Sequence, residues 1–421
     1  MNNKLDRKNF VWNTIGSTFS SFTSLIFMII LTRINGTDQS GVFTFCFSLA
    51  CLLQIVGTYS GRIYQVSNKD KNITDSDFIY SRFLTTSAML IISVNYSIIK
   101  GYNLEKCIIL LLLVLYKIIE AISDIYHGVI QKNGFLYKVG ISLFFKAIFG
   151  VLFFMIIDLI TNNVIFSLIG LLLVNIIIFI FYDYLNFKKM NYKKTNFSFS
   201  NIIKILKSGF FVFYFTILIQ YVINVPKFAI DNLLSNDIQA IYGIIVMPAT
   251  LLLLCSQFFT HPVIIKINNY TLKKDYKNLR KISFKISFCI ILIGVLALLV
   301  AYLFGIPFLN FVYNIKLNNY LKELLIIIVG AIFFGVCCFI SNVLIVLEKN
   351  FSQAILYTII AIFSKALASY LVFKDGILGA CLTYLITMFV LFIIYIILFL
   401  LYTKNNGGLN EKESFCYNSS L

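Results

Sequence analysis

Apolar residues run through this chain in twelve blocks, centred on residues 11–32, 41–61, 80–99, 107–130, 139–160, 163–187, 208–226, 239–264, 282–305, 320–346, 353–373 and 377–402, with short polar turns between them. Each block reaches the roughly 17–25 residues that an α-helix needs to cross a bilayer. The pattern predicts an all-α polytopic membrane protein. Two blocks are less sharply bounded: the seventh carries Gln220 and Asn224, and only Lys374, Asp375 and Gly376 divide the eleventh from the twelfth. Asn13, Ser17, Ser20 and Ser24 interrupt the first block and no small-residue cleavage site follows it, so it reads as a retained helix and not as a secretory signal.

Polar positions inside the blocks are as informative as the blocks themselves. On the fourth, Lys117, Glu120, Asp124, His127 and Gln131 fall within an arc of about 80° at 100° per residue. A charge at the bilayer centre costs roughly 2.5–3.5 kcal/mol on insertion scales, so this face must meet protein or water and not lipid. On the first block Asn13, Ser17, Ser20 and Ser24 form a second stripe, only about 60° wide. The chain is therefore expected to enclose a polar interior.

Composition agrees: 59% of the 421 residues are apolar and 13% charged, against about 25% charged in a soluble domain. Lysine and arginine then orient the spans. With the N-terminus inside, 25 of the 35 basic residues fall in inside segments and 7 in outside ones. The expectation is a bacterial cytoplasmic (inner) membrane protein with both termini cytoplasmic. The net charge of +17 is then a basic cytoplasmic surface facing anionic headgroups and calls for no nucleic acid. The nine cysteines form no CxxC pair, and all but Cys416 lie in apolar blocks, so they read as small hydrophobes without a metal or redox role. No cofactor is expected.

Every loop is short. The basic connection KKMNYKKTNFSFSNIIKILK (188–207) divides six spans from six, which predicts two six-helix lobes, 1–200 and 201–421, the second with a short cytoplasmic tail. The halves show traces of repetition. LTRINGTDQSGVF (31–43) follows the first span and PKFAIDNLLSNDIQAIYG (226–243) follows the seventh; each sets a basic residue at an outside helix end, then an Asx-rich turn, then a small and aromatic start to the next span. A weaker pairing sets Lys146 after Lys132 and Asn133, and Lys365 after Lys349 and Asn350.

The stretch WNTIGSTFSSFTSLIFMIILTRINGTDQSGVFTF (12–45), then GTYSGRIYQVSNKD (57–70), resembles the N-terminus of polysaccharide flippases of the multidrug/oligosaccharidyl-lipid/polysaccharide exporter superfamily. Residues 226–243 resemble the start of that family's C-terminal lobe, with lysine in place of its usual arginine. The resemblance implies a V-shaped, two-lobed exporter that flips a polyprenyl-pyrophosphate-linked oligosaccharide from the inner to the outer leaflet, driven by H+ or Na+. Its implied partners are the lipid-linked oligosaccharide, membrane lipids, and a polysaccharide polymerase with its chain-length machinery.

Such a cargo needs cations for its pyrophosphate and amides or hydroxyls for its glycan. Arg33, Arg62, Lys117, Lys146, Lys227 and Lys365 are the candidate cations; for Arg33, Arg62 and Lys227 the competing reading is snorkelling from helix ends. Asn13, Ser17, Ser20 and Ser24 are candidate glycan contacts, or else a small-residue packing face. Gln220, Asn224, Gln257, His261 and Asn342 add polar groups in the second half. Glu120, Asp124 and His127 are candidates for ion coupling, or else members of a self-neutralised network in which Lys117 pairs with Glu120 or Asp124, and Asp124 with His127. Two alternatives remain: a multidrug or cation exporter of the same superfamily, which would want a net acidic cavity, and a membrane enzyme of surface-polysaccharide assembly. The latter lacks a nucleophile or ligand cluster beside either of the two histidines.

Overall fold

The computed structural model describes residues 3–59, 61–67, 70, 72–192 and 194–404; in the long helix 236–272 the side chains of 257–259, 261, 262 and 265 lie outside that description, and with them the candidates Gln257 and His261. Long helices follow one another across the whole chain: α1 (Asn3–Ile34), α2 (Gly36–Thr58), α3 (Asp75–Lys100), α4 (Leu104–Lys132), α5 (Leu136–Thr161), α6 (Val164–Lys188), α7 (Phe199–Leu233), α8 (Asn236–Leu272), α9 (Tyr276–Tyr313), α10 (Leu321–Val346), and a last segment, Asn350–Thr403. Gly376 (φ 57°, ψ −129°) breaks that segment into α11 (350–375) and α12 (377–403). All twelve blocks of the sequence are helices. By length and apolarity ten segments qualify as spans, because the charges of α4 remove it from such a test and the last segment counts once.

Local chemistry sets the ends. Asn103 caps α4 by accepting the Lys106 N–H at 3.0 Å, and the Asp77 carboxylate accepts the Thr74 N–H at 2.8 Å ahead of α3. Gly101 (φ 63°) closes α3 in the left-handed conformation that glycine adopts freely. Gly376 sits in a backbone region essentially reserved for glycine, so Gly376→Ala should cost about 1–3 kcal/mol. A thermal unfolding series of the purified variant in detergent checks this; an unchanged midpoint would show that α11 and α12 can join without the break.

Two features of packing position the site. Gly16 of α1 faces Gly140 of α5, and a Cβ on Gly16 would stand 2.1 Å from the Gly140 carbonyl oxygen. The two backbones touch, as small residues allow in membrane helices. Gly16 lies about 60° around α1 from Asn13, so packing occupies one face of the helix and leaves the hydroxyl and amide stripe beside it. Apolar cores form separately: one cluster draws on residues 215–399 with Met28 of α1 added, and two others draw on residues 27–205. A polar space lies where these cores leave off.

Candidate functional site

A cavity of about 1210 Å³ occupies that space. Asn13, Ser17, Ser20 and Thr23 of α1, Gln54 and Thr58 of α2, and Arg62 of the short helix Gly61–Ser67 line it. Tyr116, Glu120, Ser123, Asp124, His127 and Gln131 of α4 and Lys146 of α5 complete the polar wall, while α7 contributes only Val212 and Thr216. Among the described residues the lining therefore comes almost wholly from the first half of the chain. Its residues cluster toward the start of α1, the end of α2, the end of α4 and the start of α5, which places the cavity at the terminus-bearing end of the helices.

The α4 stripe faces this space, as its one-sided charge required. Its partners come mostly from other helices. Lys117 does pair with Glu120 within α4 at 2.8 Å, and Gln54 donates to the same carboxylate at 3.1 Å. Asp124 lies between Arg62 and Arg82, at 3.3 and 3.5 Å, and not beside His127. His127 Nε2 lies 3.0 Å from Asp183 of α6, and Lys146 donates to the other oxygen of that carboxylate and to Ser123 Oγ, both at 2.6 Å. Asp183 is 1% exposed and lies in a π-helical turn, Phe179–Tyr184, a widened turn of the kind that recurs at functional sites.

The candidate residues divide accordingly. Asn13, Ser17, Ser20, Arg62, Lys146, Glu120, Asp124 and His127 meet at the cavity. Ser24, one turn beyond Ser20, is half-buried and outside the lining. Lys117 is buried behind its wall, with its ammonium 4.9 Å from the Phe47 and Tyr116 rings. Three cations proposed for a common site do not reach it. Arg33 donates to the carbonyls of Val312, at 2.6 Å, and Phe311 at the far end of α9. Lys227 donates to Ser48 Oγ at 2.8 Å, six residues or about 9 Å along α2 from Gln54 and away from the cavity. Lys365 is exposed on α11, so the weaker repeat pairing does not carry its charge to the cavity. The site is consequently less cationic than the sequence led us to expect. Four cations (Lys117, Lys146, Arg62, Arg82) stand against three carboxylates (Glu120, Asp124, Asp183), with every one of the four already engaged.

Two residues central to this network escaped the sequence reading. Asp183 is the one acid in the sixth apolar block, which was a usable signal. Arg82 sits at the edge of the third apolar block, where a cation ordinarily snorkels to the interface, yet it is 2% exposed and donates to the Gly57 carbonyl at 2.9 Å.

At the other end of the helices the two repeat-like turns meet each other. Thr37 bonds Asp237, Asn236 donates to Asp38 at 2.9 Å, and the Gly41 backbone lies so close that a Cβ there would stand 1.9 Å from the Asn236 carbonyl oxygen. Lys106 and Tyr102 both bond Asp231, and Lys100 donates to Asn232 at 2.7 Å. Residues 31–43 and 226–243 thus form a polar zip that shuts this end.

An inward-facing multidrug resistance MATE family transporter of the MOP superfamily matches with a TM-score of 0.69 at 12% identity, over 94% of this chain and 99% of that one. Lipid II flippase MurJ in an inward closed conformation matches at 0.70 and 17% identity, over 94% of this chain and 87% of its own. An outward-facing MATE family transporter gives 0.60 at 14% identity, over 94% and 95%. This chain shares the fold of these MATE and MurJ structures. No protein-family model matches the sequence. The capsular polysaccharide biosynthesis protein CapF of Staphylococcus aureus is 22% identical over 407 residues, 91% of this chain and 96% of that protein. The shared fold agrees with a multi-pass membrane protein, and these structural neighbours are transporters and a flippase.

Proposed function

We propose that this chain flips polyprenyl-pyrophosphate-linked oligosaccharide repeat units from the inner to the outer leaflet of the bacterial cytoplasmic membrane, by alternating access of lobes 1–200 and 201–421 with both termini cytoplasmic. The observation that carries this reading is the composition of the cavity wall. Amides and hydroxyls from Asn13, Ser17, Ser20, Thr23, Gln54, Thr58 and Thr216 suit a glycan, and Arg62 and Lys146 stand among them for the diphosphate. A volume of about 1210 Å³ also exceeds the roughly 300–1,000 Å³ typical of small-molecule pockets. The likeness to a capsule-biosynthesis protein and to a lipid II flippase points the same way. In this orientation the cavity opens to the cytoplasm and the polar zip closes the outside, the state that would receive cargo.

Coupling to H+ or Na+ falls in this reading to the carboxylates of the wall, Glu120 and Asp124, with His127 beside them. The second reading, a multidrug or cation exporter, draws on the MATE family neighbours. Against it, such a cargo would want a net acidic cavity, and the described residues of this wall set four cations against three carboxylates. Deleting the gene should cause lipid-linked repeat units to accumulate on the inner leaflet, seen by lipid extraction and mass spectrometry, with surface polysaccharide reduced at least about tenfold. A deletion strain with unchanged lipid-linked intermediates and heightened drug sensitivity would replace the flippase with the drug exporter.

A further inference from the structure

Arg62 differs from the other cations of the wall in what holds it. Lys117, Lys146 and Arg82 each contact a carboxylate, and Arg82, 2% exposed, depends on Asp124 as its counter-ion. Arg62 shares that same Asp124 through Nη1 only, at 3.3 Å. Its other edge, Nε and Nη2, is the pair that grips an oxyanion side-on, and here both groups donate to one neutral oxygen, Oε1 of Gln131, at 3.1 and 2.8 Å. Among the described residues of the wall four cations stand against three carboxylates, and Arg62 and Arg82 share one of them. Its side chain is 24% exposed, and both it and Gln131 line the cavity.

We infer that the Nε/Nη2 edge of Arg62 is the diphosphate-binding element of the cavity, and that Gln131 is its placeholder, a neutral acceptor that keeps the fork aimed and satisfied until a phosphate oxygen displaces it. This deepens the flippase reading and rests on it. Asp124 fixes the guanidinium from its third nitrogen, so the edge stays presented while the amide swings away. A neutral occupant matters. An amide satisfies the buried donors of the fork without the charge that would outcompete phosphate, whereas a glutamate in its place would close the fork with a bidentate ion pair.

The two substitutions of Gln131 therefore act in opposite directions. Binding of geranyl pyrophosphate to the purified full-length protein in detergent, followed by isothermal titration calorimetry, should tighten by about threefold to tenfold for Gln131→Ala, since no acceptor has to be displaced. It should weaken by more than about tenfold for Gln131→Glu, and by a similar factor for Arg62→Lys, which keeps the charge and loses the fork. Melting curves of the same preparations establish that each variant is folded, and Gln131→Leu serves for alanine if that variant is not. Equal affinity of Gln131→Glu and the wild type, or a loss in Gln131→Ala as large as in Gln131→Glu, would overturn the placeholder role. A wild type that binds no geranyl pyrophosphate would overturn it too. The flippase reading itself is decided separately, by the lipid-linked intermediates of the deletion strain.

Discussion

Replacing Asp183 by alanine should destabilise the protein by about 3–5 kcal/mol, the usual penalty for removing one partner of a buried ion pair. The reason lies in what remains. Lys146, 8% exposed, would keep its charge with only Ser123 Oγ to receive it, and His127, 3% exposed, would lose the carboxylate beside its Nε2. Desolvation of an unpaired ammonium, and not the loss of the attraction alone, supplies most of the penalty. The double variant Lys146→Met with Asp183→Leu removes both charges while keeping volume, and it should recover most of the stability, because apolar replacement of a buried pair is often close to neutral. Export should fail in both, since the double variant removes the Lys146 donor from the cavity wall and the single variant removes the carboxylate that holds Lys146 and His127 in place. Thermal unfolding monitored by size-exclusion chromatography reads the first quantity and capsule or surface-glycan complementation the second. An Asp183→Ala protein that melts with the wild type would mean that water reaches Lys146 and that the pair is not buried in solution.

Gly41→Val should release the opposite end of the molecule. A Cβ at position 41 would stand 1.9 Å from the Asn236 carbonyl oxygen and 2.6 Å from its carbon, distances that neither backbone can relieve by rotating a side chain. The clash falls between α2 and α8, across the zip formed by Thr37, Asp38, Asn236 and Asp237, while the hydrophobic cores of the two halves are untouched. Folding should therefore survive and the closed arrangement should not. Moving a two-state equilibrium from 1:99 to 99:1 takes about 5.5 kcal/mol, and a side chain forced into backbone exceeds this unless the helices part. Cysteines at positions 37 and 237 should crosslink readily in the parent and at least about tenfold less in the valine variant, with a matching loss of export. Equal crosslinking in both would show that α2 slides past α8 without opening the end.

The twelve helices were legible because hydrophobic length alone specifies them, and the break at Gly376 was legible from a three-residue interruption. The faces of α1 and α4 were legible because helical periodicity converts spacing into direction: Asn13, Ser17 and Ser20 do line the cavity with Glu120, Asp124 and His127. Ser24 shares that direction but not the depth, and a projection down the helix axis cannot see depth. What spacing could not reveal was who faces whom across helices. Glu120 found its partner on its own helix, where an i,i+3 rule applies; Asp124 and His127 found theirs on α3, α6 and the segment after α2, where no local rule reaches. Arg33 and Lys227 misled for a related reason. The turns that follow them, within residues 31–43 and 226–243, meet each other at the end of the helices away from the cavity, and both cations are held there by other partners.

The one-sided wall of the cavity has a consequence for how such a protein diversifies. Among the described residues, all the charge and nearly all the hydrogen-bonding capacity sit on α1, α2, α4, α5 and the short helix after α2, while α7 offers one methyl-rich and one hydroxyl side chain, Val212 and Thr216. The half that grips can stay constant while the half that covers is retailored. On the flippase reading, exchanging residues along α7 is the economical way to refit the same anion grip to a differently shaped sugar.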